Sequence, residues 1–146
     1  MGKKKAELTE QIIKERMIVY LEKNKFKISP VTHQNHGVDI KGFNKKLGRS
    51  WFIECKGNPT NKYEDSSRDS YFKTALGQIL MRMNSRYSKY GIALPDDDKQ
   101  SFRKKIKDVP VEIRKKLKLS FFVISTVGTI YHLSPRGKDF KEVSNV

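Results

Sequence analysis

The sequence predicts a single α/β domain over residues 1–146, and three observations carry that expectation. Residues 6–24 space their apolar side chains as a helix does and contain neither Gly nor Pro. Residues 37–57, GVDIKGFNKKLGRSWFIECKG, alternate apolar and polar side chains about a polar turn, as a two-stranded hairpin does. A second helical stripe over about residues 69–89 leads into residues 91–94, a short apolar run fit for a buried strand.

In chain order, Lys3, Lys4 and Lys5 form a basic arm expected to be flexible (residues 1–5). The first helix offers Leu8, Ile12, Ile13, Met17, Val19, Tyr20 and Leu21 to the core. Glu15 and Glu22 fall in line with Leu8, Ile12 and Val19, so a carboxylate interrupts one border of that face. Residues 26–31 read as a first strand and residues 32–36 as the loop after it. His33 and His36 stand three apart, but only His132 and Cys55 remain as further zinc-type ligands. Both are therefore read as loop histidines, with His36 a candidate contact for phosphate.

In the hairpin, Val38, Ile40, Trp51, Ile53 and Cys55 form one alternating set, and Asp39, Phe52, Glu54 and Lys56 the other. Folding symmetrically about Lys46 and Leu47, with Gly48 in the turn, sets Asp39 opposite Glu54 and Ile40 opposite Ile53. Residues 57–70, GNPTNKYEDSSRDS, read as a polar loop bordering a substrate groove. Lys62 and Arg68 are its candidate phosphate contacts, while Tyr63 is assigned to the core.

Asp69 or Ser70 would cap the second helix, which offers Phe72, Ala75, Leu76, Ile79, Leu80, Met83 and Tyr87 to the core. Gln78 and Arg82, one turn apart, flank that stripe. Pro95 ends the next strand, and Asp96 or Asp97 begins another helical piece. The three acids there suit a helix N-terminus better than a metal loop. Residues 103–118 are crowded with Lys and Arg and split by Pro110 into two short helices. Residues 119–126 and 129–133 read as an extra C-terminal hairpin turning at Val127 and Gly128. Residues 135–146 are expected to be a poorly ordered tail.

Composition narrows the partners. Lys plus Arg outnumber Asp plus Glu by 31 to 16, a net charge of +15 that marks a partner rich in negative charge. No run of 18 apolar residues and no signal or lipidation motif points to a membrane. One cysteine forms no internal disulfide, which fits a reducing compartment, so a cytoplasmic location is expected.

Two facing carboxylates repel, and burying them is costly unless a cation lies between them. Mg²⁺ takes oxygen ligands and is often held by one or two carboxylates plus substrate phosphates. With Lys56 one strand step beyond Glu54, the set suits metal-assisted phosphodiester hydrolysis. The plain alternative is a solvated hairpin face, because an acid-x-Lys triplet is common.

Asp39, then fourteen residues, then Glu54-Cys55-Lys56 resembles the PD-(D/E)XK nuclease superfamily, whose fold is called restriction-endonuclease-like. Val38-Asp39 stands where Pro-Asp is usual. The resemblance spans about residues 6–95 and implies an αβββαβ core, a central mixed sheet flanked by helices. It implies Asp39, Glu54 and the Cys55 backbone carbonyl as Mg²⁺ ligands, with Mn²⁺ as a substitute, and Lys56 as the group orienting water. It further implies a catalytic-site glutamate on the first helix. Glu15 fits that place, six residues before Leu21, ahead of Glu7, Glu10 and Glu22. By the same resemblance Gln78, in ALGQIL, would position Lys56, water or the DNA backbone, and Arg82 would add a phosphate contact.

The function so implied is a Mg²⁺-dependent endonuclease acting on duplex or branched DNA, of a junction-resolvase or repair type. An enzyme that cuts both strands of a junction would work as a homodimer. Two other classes compete: an inert basic DNA-binding module, and an enzyme using Cys55 as nucleophile. The second conflicts with strand alternation, which turns the thiol away from the polar face.

Overall fold

The computed structural model describes residues 8–29, 39–59, 64–84 and 88–144. Helix α1 spans Glu10–Lys23. It begins later than expected because the Thr9 hydroxyl accepts the Ile12 N–H and so forms the N-cap. Leu8, just before that cap, packs in the same cluster as Ile13, one turn on, which sets the angle at which the chain enters the helix. Ile13, Met17 and Leu21 are buried, whereas Val19 is 39% exposed and does not join the face assigned to it.

Strands β1 (Lys27–Ile28), β2 (Ile40–Asn44) and β3 (Arg49–Cys55) form an antiparallel meander. Ile40 pairs with Ile53 and Asn44 with Arg49, the register expected about Lys46 and Leu47. Gly48 takes a left-handed conformation at φ 62°, and Asn44 Oδ1 accepts the Leu47 N–H, closing the turn. β1 is shorter than the expected strand, whose last two residues lie outside the described residues.

Helix α2 spans Glu64–Leu80 and so starts and stops earlier than its apolar stripe suggested. Its opening acids, Glu64 and Asp65, suit a helix N-terminus, and Asp69 lies inside the helix, paired with Lys73. The chain must then be extended by Ser88, because Ser88 pairs with Ser50 to start strand β4 (Ser88–Pro95). Leu80 is consequently 47% exposed, and Tyr87 lies outside the described residues. β4 runs parallel to β3, as strands joined through a helix do.

Helices α3 (Ser101–Lys107) and α4 (Val111–Leu117) flank Pro110 as expected. Asp97 accepts the N–H and hydroxyl of Ser101 at 2.6 Å each, doing the work of a cap. Strand β5 (Leu119–Ile124) is parallel to β4, and β6 (Ile130–Leu133) returns through Gly128 at φ 91°. The tail is a correction: β7 (Lys141–Ser144) pairs with β6 and extends the sheet. Arg114 anchors the approach to β7 by donating to the carbonyls of Ser134 and Gly137, at 2.8 and 3.0 Å.

Among the described residues the result is a mixed seven-stranded sheet in sequential order, β1 to β7, with parallel pairing only at β3–β4 and β4–β5. From α1 to β4 the chain follows the αβββαβ order of restriction-endonuclease-like folds. One core packs α1 on Ile40, Trp51, Ile53, Phe122 and Ile124; the other packs α2 and α3 on Tyr90, Ile92, Leu94, Phe121 and Val123. Among the described residues no helix is long and apolar enough to cross a membrane.

Candidate active site

The last ladder pair of β2 with β3 is Ile40 with Ile53, so the backbone of β3 beyond that point loses its β2 partner. The Lys56 N–H turns to β4 and donates to the Ala93 carbonyl at 3.1 Å. The Cys55 N–H instead donates to Asp39 Oδ2 at 2.7 Å. A carboxylate thus completes the sheet edge, and Asp39 is fixed beside Glu54 by the ending of the strand itself.

Glu54 is 4% exposed, opposite Ile92 on β4 and on the α2 side of the sheet. Burial, the neighbouring Asp39 charge and a hydrogen bond with the Asp39 carboxyl push its pKa up to about 8. The cations of Lys56 and Arg82 pull in the opposite direction without prevailing. At neutral pH Glu54 therefore keeps its proton, hydrogen-bonded to the Asp39 carboxyl.

Lys56 emerges one step on, its side chain 20% exposed, with Nζ 3.8 Å from Glu10 Oε1. Gly57 explains how the first helix comes so close. A Cβ there would lie 2.3 Å from the Glu10 nitrogen and 2.6 Å from the Thr9 carbonyl carbon. The Asn58 N–H also donates to the Leu8 carbonyl at 2.8 Å, so the N-terminus of α1 is laid directly on the segment after Lys56. Cys55 faces the opposite core and is fully buried, and its thiol pKa is pushed well up by burial and by the Asp39 and Glu54 charges. That environment keeps the thiol protonated and removes the nucleophile alternative.

The remaining candidates divide. Arg82 follows α2 and is half-buried; its charge reaches Glu54, and its Nε is buried with no hydrogen-bond partner among the described residues. Glu15 is exposed and accepts from Gln11 Nε2 at 3.0 Å, so the helix face that reaches Lys56 carries Glu10 instead. Gln78 is exposed while its neighbours Ala75 and Ile79 are buried, which sets it on the solvent side of α2. Arg68 is held by Asp65 at 3.3 Å and Asp97 at 3.6 Å, a tie between α2 and the loop before α3. His36 and Lys62 lie outside the described residues. The signal for Glu10 was present in the sequence as Gly57, since a glycine just after the Lys permits close backbone approach.

The donors fit a hard divalent ion. Asp39 and Glu54 supply oxygens, and the raised Glu54 pKa marks the place where a cation would relieve their repulsion. Among the described residues no group of three or more His, Cys, Asp or Glu is gathered to hold a metal. Among the described residues, main-chain oxygens, water or substrate would supply the further ligands, which is the habit of Mg²⁺ rather than of structural zinc.

No protein-family model matches the chain, and no curated protein matches it significantly. Among solved structures it is similar to the crystal structure of an XisH family protein from Nostoc punctiforme, at 18% identity and a TM-score of 0.45, over 78% of this chain and 91% of that one.

Proposed function

We propose that the chain is a metal-dependent deoxyribonuclease that hydrolyses phosphodiester bonds at the Asp39–Glu54 pair. The observation supporting this most is the contact of two carboxyls, one buried, at the point where β2 leaves β3, with the charges of Lys56 and Arg82 acting on Glu54. Asp39, Glu54 and the Cys55 carbonyl would hold Mg²⁺, or Mn²⁺ in its place. When bound, the ion polarises the scissile phosphate and acidifies water. Lys56 orients the attacking water and offsets charge on the phosphate, while Glu10 limits where its ammonium can point. Arg82 meets the phosphate from the α2 side, and the chain's +15 charge draws the polyanion in.

The test is incubation with plasmid, linear duplex, single-stranded and four-way-junction DNA, in Mg²⁺ or EDTA, alongside Lys56→Ala. Cutting that requires metal and is lost in Lys56→Ala is the expected result. Binding without cutting in both Mg²⁺ and Mn²⁺ would overturn it in favour of an inert DNA-binding module.

A further inference from the structure

The sheet face that carries Glu54 continues past the carboxyl pair along the β1–β2–β3 meander. Strand pairing puts Lys41 beside Phe52, Phe43 beside Ser50, and Lys27 beside Phe43, all on this one face. The apolar stripe of α2 lies over Phe52, Tyr90 and Ile92, and among the described residues Lys27, Lys41 and Phe43 beyond it are exposed. Phe52 is stacked on Tyr90 at 5.7 Å between ring centres and is already used by the core. Lys41 Nζ rides 5.4 Å above the Phe52 ring, which fixes its ammonium over the face. Phe43 is different: it is 43% exposed, on a strand, with exposed lysines on either side.

We propose that this face is a track for an unpaired DNA strand running into the cleavage site, with Phe43 as the platform on which a base stacks and Lys27 and Lys41 as its phosphate contacts. The inference takes the Asp39–Glu54 pair as the cleavage site. Asp39, Lys41 and Phe43 recur at every second residue, about 7 Å per step, close to the phosphate repeat of an extended strand. An exposed aromatic side chain between cations gains nothing from a duplex, whose base faces are covered. It gains stacking from a single strand, whose bases are free. The substrate thus defined has a single-stranded segment, such as a flap, gap or overhang, next to the bond that is cut.

The test measures binding in EDTA, where no cutting is needed, by anisotropy of a labelled single strand and of the same sequence as blunt duplex. Wild type is expected to bind the single strand more tightly than the duplex. Phe43→Leu, an apolar replacement at an exposed position, is expected to weaken single-strand binding about fivefold or more and leave duplex binding unchanged. Phe43→Trp should retain the affinity and show fluorescence quenching on binding. Lys41→Gln should lower the slope of log affinity against log salt by about 0.7 for the single strand. Equal wild-type affinity for the two forms, or unchanged affinity in Phe43→Leu with a native melting curve, would overturn the track. Because the readout is binding, a failed track leaves the nuclease reading standing, and strand binding by a protein that does not cut supports the track while the nuclease reading falls.

Discussion

Charges are treated in opposite ways at the two ends of this sheet. Around α3, α4 and β7, buried cations are matched. Arg103 makes two hydrogen bonds to Asp96, at 2.9 and 2.6 Å, and lies between the Tyr131 and Phe140 rings. Arg114 closes the turn before β7 by donating to two carbonyls. Where β2 leaves β3, the charges are set against one another: a buried acid lies beside another acid. A matched buried charge holds elements together, whereas a mismatched one is retained at a cost to stability and points to a role in binding or catalysis.

The largest effect that would break this comparison is on cutting. Glu54→Gln is expected to lower Mg²⁺-dependent cleavage by about 100-fold or more, with Arg103→Met within a few-fold of wild type in the same assay. Comparable losses in both would mean that the two ends do not differ in role.

Gly57→Ala sharpens the link between α1 and Lys56. The added methyl overlaps the backbone of Thr9 and Glu10, so the helix must move, at about 2–3 kcal/mol in a denaturant melt. Cutting should fall as well, because Glu10 moves away from Lys56.

Stability should respond in opposite directions at the two ends. Glu54→Gln preserves the neutral form of a buried acid and should raise the melting temperature of the metal-free protein. Arg114→Met strands the carbonyls of Ser134 and Gly137 and should destabilise by about 2 kcal/mol in urea unfolding. A destabilised Glu54→Gln would remove the claim of conflict at the carboxyl pair.

The pH dependence of stability also separates two titratable groups. Glu54 has its pKa raised from 4.5 to about 8, so its contribution is complete below pH 4.5 and is lost as pH rises through 8. Metal-free wild type should therefore lose stability toward pH 8, with a shallower slope in Glu54→Gln. His132 behaves in the reverse sense. Stacked on Phe122 at 4.5 Å and half-buried, it has its pKa lowered from 6.5 to about 4 by burial and then by the Lys89 charge. Its contribution is complete above pH 6.5 and is lost as pH falls through 4, on the order of 2 kcal/mol, and His132→Phe should flatten that limb of a pH series of melts.

Much of this could be read from residue spacing. Alternation in the hairpin put Asp39, Glu54 and Lys56 on one face with Cys55 behind them, because a strand has period two and the turn at Gly48 leaves one sensible register. The two short helices about Pro110 and the return at Gly128 were equally local. The ends of α2 were not: its apolar stripe runs on, whereas the chain must be extended by Ser88, which pairs with Ser50. β7 was illegible for a related reason, since a short polar strand holds its place through β6 and Arg114 rather than through its own residues.

Sequence by itself therefore determined the order of elements, the hairpin register and the facing carboxylates, all of which follow from local periodicity and turn chemistry. Tertiary structure alone decided that Glu10 rather than Glu15 meets Lys56, that Arg82 rather than Gln78 reaches Glu54, and that Arg68 is tied to Asp97. Which side of a helix faces a strand is set by how the two pack, and here that was settled by Gly57, where the missing side chain lets the N-terminus of α1 rest on the chain after Lys56.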